Sequence, residues 1–298
     1  MRILIIGGTG MLGHKLAQVL GAVEQVTVTL RGDSAHWPRA IPVAALVGNV
    51  DVRETTQVAH LLDDCRPEVV LNAAGIVKHI MGAQDPADTV AVNSLYPTLL
   101  GRLCLARGIR LIHYSTDCVF SGSASSDRGP DGYRESDLPD ARDLYGMSKG
   151  LGEPPPPCLV IRTSMIGREL RGNHGLVEWF LSQGDGPVRG FTRALFTGLT
   201  TLELARVTSM ILREHPTMEG LWHVAAAPID KNALLSLVKA CYGRPTVIDP
   251  YPDFYCDRRL DGGRFSAVTG WKAPNWAQLI AMMHNDDFQS GTHARSNF

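Results

Sequence analysis

The chain has 298 residues, 44% apolar and 20% charged, and its 29 Lys plus Arg against 30 Asp plus Glu leave a formal net charge of −1. At roughly 150 residues per domain this is about two domains, or one large α/β unit with an appended lobe, and it is long enough for an ample core. The even balance of charge excludes a global basic field for nucleic acid. The longest apolar runs, such as Ile3 to Ile6, fall far short of the roughly 18 residues of a membrane-spanning helix, and no small-residue cleavage site follows a long apolar region. The chain is therefore expected in the cytoplasm, without a membrane partner. Cys65, Cys104, Cys118, Cys158, Cys241 and Cys256 stand far apart with no Cys-x-x-Cys pair, which argues against a metal site and against a secreted disulfide framework.

In chain order, Arg2 to Ile6 is an apolar run, followed by a glycine-rich turn and an amphipathic stretch from Leu16 to Leu20. This pattern predicts strand, turn and helix. A second strand is predicted at Val26 to Leu30, a third around Val47 to Val52, a helix from Glu54 to Leu62 and a fourth strand from Glu68 to Asn72. Asp85-Pro86 is a helix start, with an acid at the N-cap and proline in the first turn, and the helix runs towards Ala106 with a bend at Pro97. Gly108 ends it. Ile109 to Tyr114 and Leu159 to Arg162 give two more strands around a helix from Leu144 to Gly152. Strands alternating with helices over residues 1–165 imply an α/β domain with a parallel sheet and right-handed crossovers.

Beyond Arg162 the regularity thins, and residues 166–298 are expected to form mainly a smaller C-terminal lobe. Helical periodicity at Thr201 to Arg213 and an apolar run at Leu221 to Ala225 indicate a return to the main sheet near 192–227. Lys231 to Tyr242 and Trp276 to Met283 read as closing helices, and Asn285 to Phe298 as a polar, frayed end. The four prolines Pro154 to Pro157 force an extended connector.

Gly7, Gly10 and Gly13 lie in the first strand-to-helix turn. Such a turn lets a backbone approach a pyrophosphate and points helix N–H groups at it, although a glycine turn can also be purely structural. At the end of the second strand an NAD enzyme places a carboxylate against the ribose, whereas this chain has Leu30-Arg31-Gly32. Arg31 favours a 2′-phosphate and hence NADPH, with NADH as the alternative and a solvated surface arginine as the bland reading. Asp51-Val52 stands where the adenine would be framed, or is a simple turn.

In Tyr145-Gly146-Met147-Ser148-Lys149 the first and last residues are one helical turn apart. Lys149 can then favour the phenolate of Tyr145 and draw its pKa down from about 10. A tyrosine of this kind protonates a carbonyl oxygen as hydride reaches the carbon. Thr116, in Tyr114-Ser115-Thr116-Asp117 at a strand end, can donate a second hydrogen bond. A Tyr-x-x-x-Lys pair alone is more often a surface contact; its weight comes from following the glycine turn and the Ser-Thr strand end.

Gly7-Gly8-Thr9-Gly10-Met11-Leu12-Gly13, Asn72-Ala73-Ala74-Gly75, Tyr114 to Gly122 and Tyr145 to Lys149 together resemble an extended short-chain dehydrogenase/reductase of the dTDP-4-dehydrorhamnose reductase-like branch. Tyr133-Arg134-Glu135, Gly152-Glu153, Val160 to Ser164, Gly270-Trp271 and Trp276 extend the resemblance over nearly the whole chain. It implies a Rossmann domain with a small substrate lobe, reduction of the 4-keto group of a nucleotide-linked 6-deoxysugar, and catalysis by Thr116, Tyr145 and Lys149. It also implies cofactor contacts from Gly7, Thr9, Gly10, Met11, Leu12, Gly13, Arg31, Asp51, Val52, Ala73, Ala74, Gly75, Asn93, Tyr145 and Lys149. A nucleotide-sugar is the expected partner, and a second copy in a homodimer is left open.

Two features depart from that pattern. Reductases of the branch usually carry tyrosine where this chain has Cys118, and the Pro154 to Pro157 connector is atypical. In the related GDP-fucose synthase group a cysteine matching Cys118 works with a histidine of the lobe to epimerise C3 and C5. His174 is the expected partner for that chemistry, while a cysteine after a strand is more often buried and inert. Lys78, His79, Asp117, Arg162, Arg193, Arg258 and Arg264 are candidates for substrate binding, the cations because they suit a diphosphate. A different class also stays open, a regulatory subunit that keeps the cofactor fold without turnover.

Overall fold

The computed structural model describes residues 1–77, 85–123 and 131–289. Its first part runs β1 (Arg2–Ile6), α1 (Gly13–Gly21), β2 (Gln25–Thr29), β3 (Ala45–Val47), α2 (Thr55–Cys65), β4 (Val69–Asn72), α3 (Pro86–Val90), α4 (Tyr96–Leu105), β5 (Arg110–Ser115), α5 (Leu144–Leu151) and β6 (Leu159–Arg162). The second part adds β7 (Met165–Ile166), α6 (Leu176–Ser182), β8 (Pro187–Phe196), β9 (Leu199–Thr200), α7 (Thr201–Glu214), β10 (Gly220–His223), β11 (Ile229–Asp230), α8 (Lys231–Cys241), β12 (Val247–Asp257), α9 (Gly263–Thr269) and α10 (Trp276–Gln289).

Seven strands form one sheet in the order β10-β6-β5-β4-β1-β2-β3, and every pairing in it is parallel. The strand order reverses between β1 and β4, which is where a doubly wound sheet opens its ligand crevice. Helices cover both faces, so the central strands read as continuous apolar runs rather than alternating ones. Side chains still alternate between faces. Ile3 and Ile5 enter the core shared with α1, α7 and α10, while Leu4 and Ile6 enter the core shared with α2 and α4. Leu16 and Leu20 of α1 are fully buried in the first of these, worth roughly 2 kcal/mol each in apolar area removed from water.

The chain returns to this sheet after its first excursion. α7 contributes Leu204, Val207 and Ile211 to the core against α1, and β10 pairs with β6 from Gly220 opposite Leu159 to His223 opposite Arg162. The lobe is built on a three-stranded sheet in which β8 lies between β11 and β12. Among the described residues, no helix is long and apolar enough to cross a membrane.

Three local expectations are corrected. The third strand ends at Val47 instead of beginning there, because Gly48 crosses close to the Gly32 carbonyl and Asn49 takes φ 58°, a left-handed turn that breaks the ladder. The long helix is not a smooth bend at Pro97. It passes through a wide turn at Ala91–Leu95 with Pro97 in the first turn of α4, where its missing N–H costs nothing. The end is not frayed from Asn285, since α10 continues to Gln289 and Asp286 binds Gln18 at 2.7 Å and pairs with Lys15. Residues 290–298 lie outside the described residues.

Candidate active site

The turn after β1 is compact because glycine leaves room for it. Gly7 has φ +90°, and a Cβ there would stand 2.7 Å from the Ala74 nitrogen; one at Gly13 would stand 2.1 Å from the Gly7 carbonyl. Gly8, quoted in the glycine motif but given no role there, would drive a Cβ to 2.0 Å from Val28, and its N–H donates to the Thr29 carbonyl at 3.0 Å. The neutral His14 ring, its pKa lowered by burial to about 4, donates from Nδ1 to the Gly10 carbonyl at 2.9 Å and ties α1 to the turn. Thr9 and Gly10 face outward, and a Cβ at Gly10 would meet only the Gly7 oxygen. An open glycine rim at the start of α1, against the end of β4, fits a dinucleotide pyrophosphate. Leu12 puts its side chain in the core, so only its backbone is available to a ligand.

Beyond β2, Arg31 is exposed and close enough to Asp51 to hold that carboxyl down, though a hydrogen bond from Arg53 does so more strongly. Arg53, absent from the sequence reading, binds Asp51 at 2.6 Å and Asp88 at 2.6 Å. The expected adenosine end of the site is thus a cluster of two arginines and two aspartates. Ala73 and Ala74 pack onto opposite cores, Val52 lies against the second, and Gly75 is near Lys149. Asn93 acts as a bracket: it accepts from the Ile76 N–H at 2.9 Å and donates to the Ile76 carbonyl at 3.0 Å and to Ser148 Oγ at 3.3 Å. It holds the loop after β4 to α5.

The strand end after β5 is turned by Thr116, whose Oγ1 accepts from the Cys118 N–H at 3.1 Å and donates to Asp117 at 3.2 Å. The helix α5 begins on an Asp143 cap, Oδ1 accepting from the Gly146 N–H at 3.0 Å, and passes this turn at close range. Burial raises the pKa of the Tyr145 phenol and Cys118 adds to it, against a smaller lowering influence from Thr116, so the net shift is upward, opposite to the lowering expected from Lys149. Lys149 lies on the same face and donates to the Tyr114 carbonyl at 2.8 Å. Burial lowers its pKa to about 8, against an opposing pull from Glu153. The three expected catalytic residues therefore converge at the carboxyl end of β5.

The lobe adds residues to this cluster. Arg258 donates to the Phe120 carbonyl at 2.9 Å and reaches Cys118 Sγ at 3.5 Å. Burial and then Asp117 push the Cys118 thiol up to about 12. Lys231, missed by the sequence reading, sits with Nζ 3.8 Å from the centre of the Phe196 ring and within electrostatic reach of Asp117 and Cys118; burial lowers its pKa. Only its place at the start of an amphipathic helix hinted at it.

Arg162, Arg264 and His174 do not join this cluster. Arg162 is buried, with Nε and one terminal nitrogen on Glu153 at 2.7 Å each; a guanidinium committed inside the fold does not reach a diphosphate. Arg264 lies 3.8 Å over the Trp222 ring and donates to the Leu221 carbonyl, on the outer edge strand β10. His174 stands in an exposed loop, its N–H on Glu169 at 2.9 Å and the adjoining Gly175 near Met11, whereas Cys118 is contacted by Arg258, Thr116 and Asp117. The expected thiol–imidazole pair is not assembled among the described residues. Arg193 is exposed on β8 over the Tyr255 ring at 5.1 Å, and Lys78 and His79 lie outside the described residues.

A family model described as the RmlD substrate binding domain matches residues 1–231. A dTDP-4-dehydrorhamnose reductase of Burkholderia thailandensis is 33% identical over 153 residues, 51% of this chain and 44% of that protein, so the chain spans less than half of that relative. A probable low-salt glycan biosynthesis reductase of Haloferax volcanii is 33% identical over 239 residues, 76% of this chain and 75% of that protein. Among solved structures, a dTDP-4-dehydrorhamnose reductase of Bacillus anthracis in complex with NADP superposes with a TM-score of 0.76 at 18% identity, over 96% of this chain and 99% of that one. At that identity the likeness shows the fold.

Proposed function

The chain belongs to the RmlD substrate binding domain family, and from that premise we propose that it is an NADPH-dependent reductase of a nucleotide-linked 4-keto-6-deoxysugar. The observation that carries this reading is the convergence of Thr116, Tyr145 and Lys149 beside the glycine turn. The names of the Burkholderia and Haloferax relatives support it.

The amides of Met11 and Leu12 at the start of α1 would hold the cofactor pyrophosphate, Arg31 a 2′-phosphate, and Ala73 to Gly75 the segment leading to the nicotinamide. Bound NADPH supplies hydride to the keto carbon. Tyr145 hydrogen-bonds the keto oxygen and delivers its proton as negative charge develops there. Its raised pKa keeps it protonated at neutral pH, the state a proton donor requires. Thr116 turns its hydroxyl proton from Asp117 to the keto oxygen as a second hydrogen bond, and the Lys149 ammonium stabilises the phenolate left behind. Arg258 and Lys231 enclose the sugar from the lobe.

Cys118, placed beside Tyr145, supports a second reading in which C3 or C5 is epimerised before reduction. With its pKa up to about 12, the thiol would return a proton to carbon more readily than remove one.

The test is NADPH oxidation with a panel of 4-keto-6-deoxyhexose nucleotides in deuterated water, followed by mass and NMR analysis of products. Oxidation without carbon-bound deuterium is the expected result. Deuterium at C3 or C5 would mark an epimerase-reductase, and tight NADPH binding without oxidation would leave a regulatory subunit.

A further inference from the structure

The Arg162–Glu153 pair is closely hydrogen-bonded but costly, and the buried Arg162 Nη1 has no hydrogen-bond partner among the described residues. Glu153 Oε1 accepts from Ser115 Oγ at 2.6 Å and from Arg162 Nε at 2.7 Å, while Oε2 accepts from a terminal nitrogen of Arg162 at 2.7 Å. The two side chains are 12% and 4% exposed, and Arg162 also lies over the Phe120 ring at 5.3 Å. Removing two charges from water offsets most of what such a pair gains, so stability alone accounts poorly for it.

Its position suggests another use. Ser115 is the residue before Thr116, and Glu153 follows the end of α5, four residues after Lys149. The clamp therefore joins three elements that carry the site: the end of β5, the end of α5 and β6. We propose that Glu153, fixed by Ser115 and Arg162, is a positioning residue that keeps the Lys149 ammonium charged and in register with Tyr145; this rests on the reductase reading above.

The electrostatics agree with the geometry. Lys149 is buried, which favours the neutral amine, and the opposing influence comes from Glu153. From β5, His113 also faces Lys149, but burial pushes its pKa well below 6.5 and it stays neutral. Arg162 comes from β6 and meets Glu153, with the neutral His223 of β10 behind it. Tyr145 on the same helix is protonated, and Asp117, Asp143 and Cys118 act on that phenol.

Two variants test this. Glu153→Gln keeps the shape and removes the charge. The double variant Glu153→Met with Arg162→Met replaces the whole pair by apolar groups, an exchange that buried pairs often tolerate, and leaves no unpaired arginine. The side-chain 15N signal of Lys149, assigned with Lys149→Arg, gives its titration without reference to turnover. NADPH oxidation against pH gives the catalytic limb. The expected result is a Lys149 midpoint about one pH unit lower in Glu153→Gln, where Arg162 keeps its charge, and lower by less in the double variant, with the basic limb moving by the same amount in each. Turnover of Glu153→Gln would then fall about fivefold at pH 8 and by less than about twofold at pH 6. An unmoved Lys149 midpoint in either folded variant would overturn the proposal, as would a moved midpoint with an unmoved limb. If the wild-type protein reduces no keto-sugar while the Lys149 midpoint still shifts, the reductase reading fails and the link between Glu153 and Lys149 stands.

Discussion

The α-carbon of Gly146 lies so close to the Cys118 carbonyl that a Cβ would stand 2.2 Å from that oxygen. This contact sets α5 against the turn after β5 and so sets the distance between Tyr145 and Thr116. Gly146→Ala is expected to push the two apart, with a stability loss of about 1–3 kcal/mol and a turnover loss larger than that destabilisation explains. Thermal melts paired with single-turnover rates measure both; an alanine variant with wild-type turnover would show that the close approach is dispensable.

Tyr145→Phe removes the proton donor and little volume. Turnover should fall by about 10²–10⁴-fold while NADPH affinity stays within about threefold. Stopped-flow hydride transfer and fluorescence titration of NADPH separate the two, and near-wild-type hydride transfer would assign the proton to another group.

Lys149 should cost the fold stability. Its folded pKa of about 8 lies below the 10.5 of an exposed lysine, so between those values the unfolded chain binds more protons, and stability from this group rises as pH rises from about 8 to 10.5. Lys149→Met should therefore stabilise the protein at pH 7, by up to about 3 kcal/mol, while abolishing turnover. Urea melts at pH 7 and pH 10 check this: the gap between variant and wild type must shrink at the higher pH.

Lys231 faces Asp117 and Cys118 from the lobe. Lys231→Met should raise KM for the nucleotide-sugar by about tenfold or more, with NADPH affinity unchanged. Steady-state kinetics with each substrate varied in turn give the answer. A rise confined to KM for NADPH would place Lys231 on the cofactor instead.

Local spacing by itself determined a large part of this protein. The alternation of apolar runs and helical periods specified the parallel sheet, because strand and helix leave different repeats in the chain. Gly7, Gly10 and Gly13, and Tyr145 with Lys149, were legible for the same reason: each set acts over one turn, where sequence distance is spatial distance. Tertiary structure decided which cations face the cleft. Arg162, Arg258 and Arg264 have the same chemistry, yet one is clamped on Glu153, one reaches Cys118 and one lies on the outer edge strand. Lys231 and Glu153 enter the site from elements far along the chain or past a helix end. Their roles depend on burial and on partners tens of residues away, and an electrostatic neighbourhood of that kind exists only once the chain has closed on itself.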